Sequence, residues 1–314
     1  METTTIYETV HGSQAYGLAR EGSDLDVKGV VVGPKAWYFG YRGGPEQVEL
    51  GTGEHGDLPK DHVAFEVRKL LRLLVNANPT VLELLFVDAD FVRVCTPEGR
   101  LLLEFRERFL TRKVGESFGG YALGQLRRIQ THRKWLLSPP KEAPIRAAFG
   151  LSERPTIPKD QLGAAETLLQ RGAFPDEAAG FLDTLAREKR FASAKKQWQQ
   201  FQQWKRERNE ARAALEATHG YDTKHAMHLV RLQRMGLEIL TRGDVIVRRP
   251  DREELLGIRD GAWPFEKLLE EAERMAKAIV DAAATSPLPE AVDEEAAEAL
   301  GVAIVERVLF GPTA

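Results

Sequence analysis

Of 314 residues only one, Cys95, is a cysteine. That excludes an intramolecular disulfide framework and fits a reducing compartment. Flanked by Val92 and Val94, Cys95 reads as a strand thiol with no chemistry of its own. Long apolar runs are missing as well: no uncharged stretch approaches the roughly 20 residues of a membrane-spanning helix. Met1 to Thr5 lack the basic start and apolar run of a signal peptide. There is no excess of positive charge, the formal net charge being −3. A surface that coats nucleic acid along its whole extent is therefore excluded, and any such contact has to use a local patch. No internal repeat of fixed period and no low-complexity tail is present. These absences predict a cytoplasmic protein without membrane contact, and they say nothing about its oligomeric state. What is present, 43% hydrophobic and 29% charged residues, is the composition of a globular chain long enough for two domains.

Chemistry concentrates between Ile6 and Val32. The stretch predicts a strand, a tight turn at Gly12-Ser13, a short helical or looped insert, and a second strand carrying Asp24 and Asp26. Val27 to Val32 is β-branched apart from Lys28 and Gly29, which suits a buried strand. Residues two apart on a strand share a face, so Asp24 and Asp26 are expected to put both carboxylates on one side. Adjacent carboxylates repel, and a hard divalent cation offsets the repulsion; Mg²⁺ takes one or two carboxylates together with substrate phosphates. Upstream, Gly12 lets backbone approach a phosphate closely and Ser13 adds a hydroxyl. A helix starting there would aim free N–H groups at an anion. Gly-Ser-Asp alone is ordinary turn chemistry. The Gly-Ser turn about a dozen residues ahead, with strands on both sides, is what points to phosphoryl transfer.

Further along, Trp37 to Gly56 is dominated by turn residues and predicts a hairpin or loop, with Trp37, Tyr38, Phe39 and Tyr41 available for packing or for stacking a base. Asp61 to Phe65 predicts a short strand, and Glu66 opens a helix with Val67, Leu70, Leu71, Leu74 and Val75 at helical spacing, ending at Asn78-Pro79. Glu83 lies inside an apolar run and calls for a buried partner such as an arginine. Residues 100 to 136 predict helix broken near Gly115 and Gly119-Gly120; the Pro-rich residues 138 to 160 predict an extended loop, and helix returns near Gln161. Leu185 to Leu215 predicts a long helix in which Trp198, Phe201 and Trp204 interleave with Lys195, Lys196, Lys205 and Arg206. Two readings stand there: a basic, aromatic-studded grip on RNA, or a solvated helix whose aromatics form its buried stripe. Near Gly220, Asp222 or Thr223 caps a helix that places Lys224, His228 and Arg231 near one face. Such a row can compensate a triphosphate's charge, or it is an ordinary charged face. His225 and His228 alone do not make a zinc site. Glu271 to Ala284 and Ala291 to Leu309 predict terminal amphipathic helices.

Gly12-Ser13 followed by Ser23-Asp24-Leu25-Asp26 resembles the signature of the DNA polymerase β-like nucleotidyltransferase superfamily. The fuller string GSQAYGLAREGSDLDVKGV, the Asn78-Pro79…Leu82-Glu83-Leu84-Leu85-Phe86 segment and Tyr221-Asp222…Lys224-His225…His228 resemble a narrower bacterial and phage group named for an RNA repair pathway. The resemblance spans roughly residues 8 to 270. It implies that Gly12 and Ser13 hold the triphosphate and that three carboxylates bind two Mg²⁺, for which Mn²⁺ can substitute. Asp24 and Asp26 are two of them. The third is Asp61 or Glu66, which an odd spacing puts on opposite sides of a straight strand. Asp61 precedes the apolar strand residues, as the third aspartate does in similar enzymes, and is preferred; Glu66 stays open. Lys224, His228 and Arg231 would contact the nucleotide. The expected fold is α+β, with a small mixed-sheet catalytic domain at 1–98 and a helical domain at 99–314 that closes over nucleotide and acceptor. The expected reaction moves a nucleoside monophosphate from NTP to a hydroxyl, with an RNA 3′ end as acceptor. A protein or small-molecule adenylyltransferase and a non-catalytic nucleotide- or RNA-binding module are the alternatives.

Overall fold

A computed structural model describes residues 3–50, 61–155, 161, 163, 164, 167, 179–208 and 210–311. The Gly51-Thr52-Gly53 part of the expected loop and most of the region around Gln161 lie outside them. A five-stranded mixed sheet forms the N-terminal part, from β1 (Thr4–His11), β2 (Asp26–Val32), β3 (Gln47–Glu49), β4 (Asp61–Glu66) and β5 (Val92–Cys95), in the spatial order β3-β4-β2-β1-β5. β2 and β4 run parallel, and the other neighbours are antiparallel. The α+β architecture expected from the sequence is what the chain adopts.

Between the strands lie α1 (Gly12–Ala15), α2 (Lys35–Phe39), α3 (Val67–Val75) and α4 (Pro79–Leu84). A helix therefore occupies part of the stretch expected as hairpin or loop. α3 buries Val67, Leu70, Leu71 and Leu74, the spacing of one helical face. α4 begins at a proline, where the missing N–H costs nothing, and Asn78 caps it by accepting from the Thr80 N–H at 3.1 Å.

Helices follow: α5 (Pro97–Phe105), α6 (Lys113–Leu137), α7 (Ala179–Glu207), α8 (Glu210–His219), α9 (Thr223–Arg242), α10 (Arg252–Arg259), α11 (Phe265–Thr285) and α12 (Glu294–Phe310). The expected breaks at Gly115 and Gly119-Gly120 do not occur, because α6 runs through all three. Gly115 is a packing residue instead: a Cβ there would stand 3.0 Å from the Ala283 Cβ on α11. The interruption falls earlier, at residues 106–112, where a 3₁₀ turn over Arg106–Phe109 separates α5 from α6. Among the described residues no helix is long and apolar enough to cross a membrane.

Contacts divide the chain into two compact units, one of Met1–Ile129 with Asp222–Ala314, the other Gln130–Tyr221. Residue 98, the expected end of the catalytic domain, lies inside the first unit. The C-terminal segment joins the sheet because it pins the loop after α1. The Arg249 N–H donates to the Tyr16 carbonyl at 3.1 Å, Arg259 Nη1 to the Leu18 carbonyl at 3.3 Å, and Arg20 pairs with Asp260 at 2.6 Å.

Candidate active site

The site starts from register. β2 opens at Asp26 and β4 at Asp61, and the parallel ladder sets these two residues directly opposite each other. Opposite residues of adjacent strands direct their side chains to the same face, so two carboxylates from separate strands share one face at one end of the sheet. Asp24 does not lie on the strand as expected. The chain around Gly22 is a turn, closed by the Arg20 N–H donating to Ser23 Oγ at 2.8 Å, and β2 begins two residues after Asp24. It still acts on Asp26. The Asp26 carboxyl is pushed above its ordinary pKa first by burial, then by Asp61, with Asp24 adding in the same direction and Lys28 and Lys224 opposing.

Gly12 closes the cluster. It follows His11, which pairs with Asp26 at the end of the β1–β2 ladder, and it has a φ of +67°. A Cβ at this position would lie 2.3 Å from Asp26 Oδ2, so only glycine lets the turn approach the carboxylate. α1, which starts here, is a single turn of four residues. Any phosphate held by Gly12 and Ser13 therefore meets turn amides, without the macrodipole of a long helix.

The other candidate for a third carboxylate is committed elsewhere. Glu66 is buried and caps α3, accepting from the Arg68 N–H at 3.1 Å; it also accepts from Arg68 Nε at 3.2 Å and from the Tyr38 hydroxyl at 2.9 Å. Asp61 is exposed at the start of its strand. The same bonds take Tyr38 out of the aromatic group expected for packing or stacking. Trp37 is buried as well, packed where Cβ atoms on Gly33 and Gly44 would stand.

From α9, Lys224 is exposed and near enough to act on Asp26. His228 is half-buried, and its imidazole pKa is pushed down to about 3, chiefly by burial and then by Arg231 and Lys224. It is a neutral imidazole at neutral pH. Arg231 is turned into the interior. It is buried, its Nη1 donates to Glu83 Oε1 at 2.8 Å, and its guanidinium lies 3.8 Å over the Tyr16 ring. Tyr16 donates its hydroxyl to Glu83 Oε2 at 2.5 Å. The row Lys224, His228, Arg231 thus ends one residue short, because the buried Glu83 claims the arginine that its apolar setting called for.

Two residues escaped the sequence argument. Lys28 lies two positions beyond Asp26 on β2 and shares its face; burial lowers its ammonium pKa, against the pull of Asp61, Asp26 and Glu83. Its signal was a lone cation in a β-branched strand. His11 is buried opposite Asp26, its Nε2 has no hydrogen-bond partner among the described residues, and burial lowers its pKa to about 3. In the second unit, Trp135 lies 5.7 Å from Phe201 and 5.5 Å from Trp204. These aromatics form a packing stripe. Lys195, Lys196, Lys205 and Arg206 stay exposed.

No solved structure matches the chain. A Bacillus subtilis (strain 168) protein described as "Uncharacterized protein YcgL" is 31% identical over 96 residues, which cover 31% of this chain and 35% of that relative. The match spans about a third of the relative's length. Residues 1–138, which hold the three aspartates, Gly12 and Ser13, match the model of the RlaP family, described as the RNA repair pathway DNA polymerase beta family.

Proposed function

We propose that the protein is a Mg²⁺-dependent nucleotidyltransferase that moves a nucleoside monophosphate from NTP to the 3′-terminal hydroxyl of an RNA. The observation that carries this reading is the register of Asp26 against Asp61 with Gly12 closed upon it. Three carboxylates offer hard oxygen ligands, and the like-charge crowding that raises Asp26 is what a divalent cation relieves, so the donor chemistry suits Mg²⁺. Asp24, Asp26 and Asp61 would hold it. Bound there, the metal supplies a lower pKa for the attacking hydroxyl and neutralises triphosphate charge.

The protein groups divide the remaining work. Gly12 and Ser13 hold the β- and γ-phosphates against turn amides. Asp61, exposed at its strand end, accepts the acceptor hydroxyl's proton. The hydroxyl oxygen then bonds to the α-phosphorus as the α–β bond breaks and pyrophosphate leaves. Lys224 adds positive charge on the phosphate side, and neutral His228 adds a hydrogen-bonding nitrogen without further charge. RNA as acceptor is supported by the family description matched by residues 1–138.

The test incubates purified protein with Mg²⁺, each α-labelled NTP in turn and total RNA, beside an Asp24→Ala/Asp26→Ala variant. Label entering RNA, and absent with the variant, is the expected result. Label on protein instead would replace the RNA acceptor by a polypeptide. NTP binding without any transfer would overturn the enzymatic reading.

A further inference from the structure

Residues 130–221, the second unit, carry a charge of their own. They hold 16 Lys and Arg against 11 Asp and Glu, a net +5 in a chain whose total is −3. The excess gathers on α7. From Lys189 to Arg206 that helix has six cations, five glutamines and no Asp or Glu. Like charges along one helix repel, and a purely structural surface would set carboxylates three or four residues from them. The nearby acids are engaged with other arginines: Glu188 with Arg146 at 2.5 Å, Asp183 with Arg187, and Glu216 with Arg208 at 3.3 Å. Among the described residues Arg190, Lys195, Lys196, Lys205 and Arg206 are exposed and in no ion pair.

Aromatics and cations take different faces of this helix. Phe201 is buried, with Trp198 at 5.9 Å and Trp204 at 5.9 Å on its own helix and Trp135 at 5.7 Å on α6. Lys195, Lys196, Gln199, Gln203 and Arg206 recur at spacings of three and four, and all are exposed, so they form one band. At 1.5 Å of rise per residue its cationic ends lie about 16 Å apart. Glu207, which accepts from Gln203 Nε2 at 2.9 Å, closes the band. Lysine and arginine neutralise phosphates, and amides between them bond to phosphate and sugar oxygens, so the band suits a polynucleotide backbone. A lipid surface would need the apolar stripe outside, and here that stripe is packed inward.

We infer that this band of α7 binds the phosphate backbone of the acceptor RNA, independently of its sequence. The choice of RNA rests on the reading above, in which RNA is the acceptor, and the experiment separates the two. The full chain is titrated into a labelled single-stranded RNA of mixed sequence over a series of KCl concentrations, and into vesicles of phosphatidylserine and phosphatidylcholine. Lys195→Gln/Lys196→Gln/Arg206→Gln should weaken RNA about tenfold or more and flatten the slope of log affinity against log salt by about 2. NTP affinity and melting temperature should stay at wild-type values. Lys195→Arg/Lys196→Arg should bind RNA as wild type does. Removing three exposed cations of the first unit, Arg100→Gln/Lys277→Gln/Arg307→Gln, should leave RNA affinity within about twofold. Wild-type RNA affinity in the α7 variant, an equal loss in the first-unit variant, or binding to vesicles without binding to RNA would overturn the assignment. Label transfer to RNA at limiting RNA, undiminished in the α7 variant, would overturn it too and leave the transferase standing. RNA binding through the band without any nucleotide transfer would sustain the assignment and overturn the transferase reading.

Discussion

Arg231, Glu83 and Tyr16 form a closed set: an arginine donating to a carboxylate, a phenol donating to the same carboxylate, and the guanidinium stacked on the phenol ring. All three are buried. Removing one charge leaves the other unpaired in a dry interior, which costs about 3–5 kcal/mol. Arg231→Met should therefore lower the melting temperature by many degrees in a thermal unfolding experiment. An unchanged melting temperature with a selective loss of NTP affinity would return Arg231 to the substrate. His11 gives a second prediction. Its pKa is near 6.5 in the unfolded chain and about 3 when folded, so between those values the unfolded state binds more protons. Stability is complete above pH 6.5 and is lost as pH falls toward 3, by roughly 2 kcal/mol at pH 5 from this residue. His228 acts in the same window. Denaturant titrations from pH 7 to pH 4 should show a shallower acid loss for His11→Asn than for wild type; identical slopes would contradict this. At this scale the close approach at Gly12, the place of Asp26 on its strand and the arginine partner of Glu83 were legible in the sequence, because each breaks a local pattern, whereas Asp24 lies ahead of the strand on which it was expected. Lys28 and His11 were not. A single polar residue in a strand does not say which face it takes until the pairing is known.

Among the elements, the parallel pairing of β2 with β4 sets Asp61, and not Glu66, opposite Asp26. The spacing of Asp61 and Glu66 showed that only one could face the site, and the structure gives Glu66 three donors at the start of α3. Glu66→Gln should cost about 1–2 kcal/mol through the weakened cap and ion pair, with nucleotide transfer retained. Asp61→Asn should unfold at the wild-type temperature and transfer nothing. Parallel measurements of melting and label transfer check both, and a reversed pattern would make Glu66 the ligand. Helix identity along the chain was readable from apolar spacing, as α3 and the aromatic stripe of α7 demonstrate. Helix ends were less so. Gly115 and Gly119-Gly120 suggested breaks on backbone propensity, yet α6 continues because Gly115 gives α11 room to approach. That requirement belongs to a residue more than 160 positions away and leaves no local mark.

On the scale of the whole molecule, the first unit is assembled from the two ends of the sequence, with residues 130–221 as a separate unit between them. A change of composition near residue 99 suggested a boundary there, but compactness follows contacts between distant segments, such as Arg249 to Tyr16 and Arg231 to Glu83. Such contacts put α9 in the same unit as the sheet, and with it Lys224 and His228. The proposed reaction breaks the bond between the α- and β-phosphates of the NTP. The measurement that tests it most directly is a single-turnover reaction run in parallel with α-labelled and γ-labelled NTP in Mg²⁺. α-Label should appear on the acceptor, γ-label only in released pyrophosphate, and neither with Asp24→Ala/Asp26→Ala. Transfer of the γ-label to the acceptor would contradict it and make the protein a phosphotransferase.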